Sequence, residues 1–106
     1  MPTGPGEELV GTWKFIYSDV AEDQAAIAAS ETVRTFVCSG HIEQSISGEE
    51  RPLILTGAWS VTEGYLVSTF TFGDTSVSVK EDFSVRSDTL ILVDRVQGSV
   101  EKWLKL

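Results

Sequence analysis

Residues 53–96 read LILTGAWSVTEGYLVSTFTFGDTSVSVKEDFSVRSDTLILVDRV, and their alternation decides the fold. Leu53, Leu55, Gly57, Trp59 and Val61 fall on one parity, as do Leu66, Ser68, Phe70 and Phe72. The pattern repeats with Val77, Val79, Glu81, Phe83 and Val85, then with Leu90, Leu92 and Asp94. A period of two places each set on one face of a strand, so 53–61, 65–72, 75–85 and 89–96 are expected strands. The links between them, residues 62–64, 73–74 and 86–88, are short and rich in Gly, Asp and Ser. Such links have no room for a crossover helix, so successive strands must pair antiparallel.

The same rhythm extends in both directions. Residues 31–38 and 41–46 read as strands joined by Ser39-Gly40, residues 47–51 form the next link, and residues 99–104 follow Gln97-Gly98 as a last strand. At the front, Leu9, Gly11, Trp13, Phe15 and Tyr17 alternate with Val10, Thr12, Lys14 and Ile16, giving a first strand with a mostly aromatic face. The one longer link, residues 18–30, holds an Ala-rich run with Glu22, Asp23 and Gln24 in its first turn and Ser18 or Asp19 as a cap. It is expected to form a short helix and to lie across one end as a lid or a plug. Eight antiparallel strands with tight links favour a closed up-and-down barrel over a sandwich, which usually needs longer connections. The expected architecture is therefore all-β: an eight-stranded antiparallel barrel with one short helix after the first strand. Residues 1–8, with two prolines and two glycines, form a flexible arm, and 9–106 form the barrel domain.

A chain of 106 residues has room for one domain. Sixteen acidic against eight basic residues give a formal charge of −8, which repels a phosphate backbone and argues against nucleic-acid binding. That charge also suits a soluble monomer or weak dimer. The one cysteine, Cys38, cannot form an internal disulfide, so the apolar core must hold the fold. No run approaches the length of a membrane span, and cytoplasmic is the default location, secreted or lipid-anchored if a leader was removed.

The ends of the chain carry a resemblance. Leu9-Val10-Gly11-Thr12-Trp13-Lys14-Phe15, a Gly-x-Trp in the first strand, together with the closing Gly98-Ser99-Val100-Glu101-Lys102-Trp103-Leu104-Lys105, resembles the calycin superfamily of lipocalins, fatty-acid-binding proteins and small bacterial lipocalin-like domains. A second Gly-x-Trp occurs at Gly57-Ala58-Trp59. The resemblance implies a lipocalin-like barrel whose interior binds a small hydrophobic molecule. It also implies a basic residue near the end of the chain stacking on Trp13, here Lys102 or Lys105. Fatty-acid-binding members hold the ligand carboxylate with an Arg-x-Tyr pair. This chain aligns Glu101-Lys102-Trp103 there, placing an acid where the cation should stand, so a neutral or cationic ligand is expected.

Glu81 and Asp94 fall on the inward parity, together with Glu101 if Trp103 points inward. These carboxylates should line one end of the barrel, or else face solvent or pair with Arg34, Arg51 or Arg95. With Trp59, Phe70, Phe72 and Trp103 as apolar partners, Glu81, Asp94 and Glu101 make up the expected ligand-binding set. His41, the one histidine, and Cys38 lack a third orienting group, and no phosphate loop, zinc spacing or nucleophile elbow occurs. The expectation is a non-enzymatic, cofactor-free binding protein. The alternative is a protein–protein interaction module with a filled barrel core, and a third and more distant one is an acid–base enzyme using His41 with Glu81 or Asp94.

Overall fold

The computed structural model describes residues 6–21, 24, 25, 27, 30–47 and 53–106. Eight strands run β1 (Gly11–Ser18), β2 (Glu31–Phe36), β3 (His41–Ser47), β4 (Leu53–Thr62), β5 (Tyr65–Phe72), β6 (Thr75–Arg86), β7 (Thr89–Asp94) and β8 (Val100–Lys105). Each pairs antiparallel with the next, and β8 pairs with β1, so the sheet closes into an up-and-down barrel without an edge. Period-two alternation is visible directly in the burial of β4 and β5, whose odd positions in β4 and even positions in β5 face inward.

The boundaries depart from sequence expectation where side chains or bulges intervene. Residues 7–9 form a 3-10 turn, so the first strand starts at Gly11 and Leu9 precedes it. β2 stops at Phe36 because the Val37 amide donates to the His41 carbonyl and the Gly40 amide to the Val37 carbonyl, which takes residues 37 and 38 into the turn. β7 stops at Asp94 because its Oδ1 accepts the amides of Val96 (2.7 Å) and Gln97 (2.9 Å), a local bond that competes with the ladder. A register shift between Phe15 and Tyr17 breaks the expected aromatic face of β1. One extra residue reverses the parity beyond it, so Tyr17 turns outward under Lys102, with the ammonium 5.1 Å from its ring centre, while Ser18 turns in.

In the link after β1, Ala21, Gln24, Ala25 and Ile27 are helical, and the Gln24 amide donates to the Val20 carbonyl at 3.0 Å. The remainder of the expected 20–30 helix lies outside the described residues. Ser18 Oγ accepts the Val20 amide at the start of this link, and Asp19 exchanges two hydrogen bonds with Val100 of β8. Of the first eight residues, 1–5 likewise lie outside the description.

One end of the barrel is closed by apolar packing. Leu9, Trp13, Phe36, Ile42, Leu66 and Leu90 are completely or almost completely buried there, backed by Trp59, Val61, Phe83 and Val85. The indole N–H of Trp13 donates to the Leu9 carbonyl (2.9 Å), fixing the 3-10 turn over the barrel end. Lys105 supplies the cation over Trp13, its ammonium 5.0 Å from the ring centre and 3.2 Å from the Val10 carbonyl oxygen. The choice between Lys102 and Lys105 is thus made by parity. Gly11 takes a positive φ of 137° beside this lysine, and a side chain there would collide with its Nζ and Cε. Gly57 serves differently: a Cβ would run into the Thr69 carbonyl of the neighbouring strand, so β4 and β5 can approach only with glycine at this position.

Candidate functional site

Among the described residues the opposite end is open. β6 pairs with β7 only through residues 81–86, whereas its 75–81 half pairs with β5, so the β5–β6 hairpin overhangs the mouth. Beneath this overhang lies a recess of about 350 Å³ bordered by Val20, Arg34, Ser68, Phe70, Val79, Glu81, Asp94, Gln97, Ser99 and Glu101. A second, of about 220 Å³, is bordered by Phe15, Ser30, Thr32, Arg34, Gln44, Ile46, Glu101 and Trp103. The two share Arg34 and Glu101. Together they reach the size range of small-molecule sites.

Arg34 is the organising side chain. It projects inward from β2 because it shares the parity of Phe36, and it is only 8% exposed. Its guanidinium stacks on Trp103 with 4.4 Å to the ring centre and lies 5.5 Å from that of Phe70. Its Nε (2.9 Å) and Nη2 (2.7 Å) both donate to Gln44 Oε1 on β3. Nη1 is buried without a hydrogen-bond partner, and so is the hydroxyl of Ser68. Trp103 is held in turn by Phe15, stacked at 4.6 Å, and by its indole N–H, which donates to Glu101 Oε1 at 3.3 Å.

Two carboxylates act on this cation, Glu81 from β6 and Glu101 from β8, and Asp94 from β7 borders the same recess. Glu81 and Asp94 are directly paired across their strands. Burial pushes the Glu81 carboxyl up to about 7; Arg34 opposes that rise, and Glu101 and Asp94 add to it. Burial pulls the Arg34 guanidinium below its ordinary value, against the pull of Glu81 and Glu101. The recess is therefore a polar, low-dielectric chamber with a fixed cation, a carboxyl that changes charge near neutrality, and two unsatisfied donors.

Of the residues singled out from sequence, Phe70, Glu81, Asp94 and Glu101 border the larger recess, and Trp103 borders the smaller. Trp59 lies elsewhere: it packs edge-on against Phe36 and donates its indole N–H to the Val37 carbonyl (2.9 Å) near the closed end. Phe72 is 45% exposed on the overhanging hairpin and borders neither recess. Sequence reasoning underrated Arg34, entered only as a partner for the acids, and did not single out Ser68 or Gln44. Parity counted back from Phe36 would have turned Arg34 inward. His41 stands at the start of β3 with Glu43 at 4.0 Å, and Cys38 is exposed in the preceding turn; neither borders the recesses. Among the described residues no helix is long and apolar enough to cross a membrane, and no cluster of His, Cys, Asp or Glu has a metal-binding arrangement.

A closed eight-stranded meander, capped at one end by the Gly-x-Trp strand and a stacked lysine, is the calycin-type, lipocalin-like fold. Comparison with solved structures agrees. The chain is similar to fatty-acid-binding protein 1 of Echinococcus granulosus, with 10% identity, a TM-score of 0.53 and coverage of 94% of this chain and 98% of the other. It is also similar to the wild-type fluorescent protein UnaG, with 12% identity, a TM-score of 0.49 and coverage of 95% and 99%. No protein-family model and no curated protein matches the sequence.

Proposed function

We propose that this protein is a non-enzymatic binding barrel that takes a small hydrophobic molecule into its open mouth. The observation that carries this is the presence of two buried donors without a partner, Arg34 Nη1 and Ser68 Oγ, on residues that border a recess of about 350 Å³. A buried polar group left unsatisfied costs stability, so a chain that keeps two beside a cavity gains from a ligand that meets them. The likeness to a fatty-acid-binding protein is one of fold, and supports the reading only in that this architecture accommodates an internal ligand. A filled core, which the interaction-module alternative requires, is at odds with the recess. Catalysis is disfavoured because His41 and Cys38 stand apart from the carboxylates.

The test is native against denaturing mass spectrometry of freshly purified protein, together with titration of Nile red, a neutral apolar dye. A mass released on unfolding, or saturable dye binding abolished by Val79→Trp in the recess wall, is expected. A bare chain that also fails to bind the dye would overturn the proposal in favour of a protein partner.

A further inference from the structure

Resting on that reading, we infer that the head group taken by the mouth is an uncharged carboxamide, a carbonyl beside an N–H, and not a carboxylate. Three polar residues border the larger recess, and two of them, Arg34 and Ser68, hold a donor buried in its wall without a partner. Arg34 Nη1 and Ser68 Oγ offer hydrogens; both side chains are more than nine-tenths buried, and neither atom has a partner. Glu81 offers a carboxyl that receives no hydrogen bond or ion pair among the described residues and is 6% exposed. Ser68 and Glu81 lie on adjacent inward positions of paired strands, because Leu66 pairs with Glu81 and Ser68 with Val79. Arg34 reaches the same chamber from β2 across the barrel.

An amide oxygen has two lone pairs, one for each of the two donors, and the adjacent amide N–H can donate to the Glu81 carboxylate. A hydroxyl has the same count of two lone pairs and one O–H, but all three contacts would have to converge on one oxygen, whereas the amide spreads them over two atoms. A carboxylate satisfies the two donors but adds a negative charge to a chamber bordered by Glu81, Asp94 and Glu101, where Glu81 already feels the other two acids. Asp94 is partly occupied by the Val96 and Gln97 amides, which leaves Glu81 as the acceptor that decides between the two head groups. The apolar remainder of the ligand would lie along Phe70 and Val79 toward the mouth.

The experiment displaces Nile red with octanamide and with octanoate, matched in chain length, about one pH unit above and one below the Glu81 midpoint of about 7. Above it, octanamide should compete about tenfold more tightly than octanoate, the scale of one charge-assisted hydrogen bond gained against one repulsion. Below it the gap should narrow from both sides, as a protonated Glu81 accepts from the amide without charge assistance and stops repelling the carboxylate. Glu81→Gln should remove this pH dependence, and Ser68→Ala should weaken octanamide more than it weakens the dye. If octanoate competes as well as octanamide at the higher pH, or neither displaces a bound dye, the head-group assignment falls and the binding barrel stands. Failure of the dye itself to bind would remove both.

Discussion

The two ends of this barrel are built from the same strands and solve opposite problems. At the closed end, Leu9, Trp13, Phe36, Ile42, Leu66 and Leu90 are sealed from water, and the Trp13 indole N–H finds a partner in the Leu9 carbonyl. At the open end an arginine, a serine and a glutamate are buried almost as deeply, and the arginine and serine each keep a donor without a partner. Apolar packing thus resides in one half of the molecule and the proposed binding site in the other. Burying polar groups without full satisfaction is tolerated because the apolar end offsets its cost.

The sharpest way to break this contrast is to open the closed end. Trp13→Ala removes a fully buried indole and should cost about 4 kcal/mol in urea denaturation, enough to unfold a domain of marginal stability. Next in size is Glu81. Its folded value of about 7 stands above its ordinary value of 4.5, so the native state holds the extra proton between these values. Stability from this group is therefore full below about pH 4.5 and is lost as pH rises through 7. The loss amounts to at most about 3 kcal/mol. Glu81→Gln should lack that slope and be the more stable protein on the alkaline side, as read from melting temperatures of the two proteins across the range. Gly57→Ala, at the ring where Ile42, Gly57 and Phe70 pair, should cost about 2 kcal/mol by forcing β4 from β5. The smallest change sharpens the comparison: Ser68→Ala deletes an unsatisfied hydroxyl and should gain about 1 kcal/mol in chemical denaturation. A loss on the same scale would mean that Ser68 contributes to the apo fold.

Legibility in the sequence followed the same division. Strands with a strict period of two, such as 53–61 and 65–72, were readable nearly to the residue, because inward apolar and outward polar positions are imposed by the core itself. The convergence of Glu81 and Asp94 was legible from parity, and Glu101 joined them only through the resemblance that turns Trp103 inward. Arg34 was legible only by counting back from Phe36, since β2 carries Thr32, Arg34 and Phe36 against Val33 and Thr35, a pattern with no clear apolar face of its own. Nor could parity survive the shift between Phe15 and Tyr17, which no residue type in Phe15-Ile16-Tyr17 announces. Local composition likewise could not tell Lys102 from Lys105, or place Trp59 away from the mouth, because these depend on which strand lies beside which end.

The seam between β1 and β8 has a consequence for how the molecule comes into being. Every other pairing joins neighbours in the chain, whereas this one brings Trp13 against Lys105 and Ser18 against Glu101. Such a distant contact incurs the largest loop-closure entropy and is expected to form late. During synthesis, β1 leaves the ribosome with β2 on one side and a bare edge on the other, and it stays so until β8 has been made. A nascent chain of seven strands is thus an open, twisted sheet with two unpaired rims, exposed to edge-to-edge association with its neighbours on the same message.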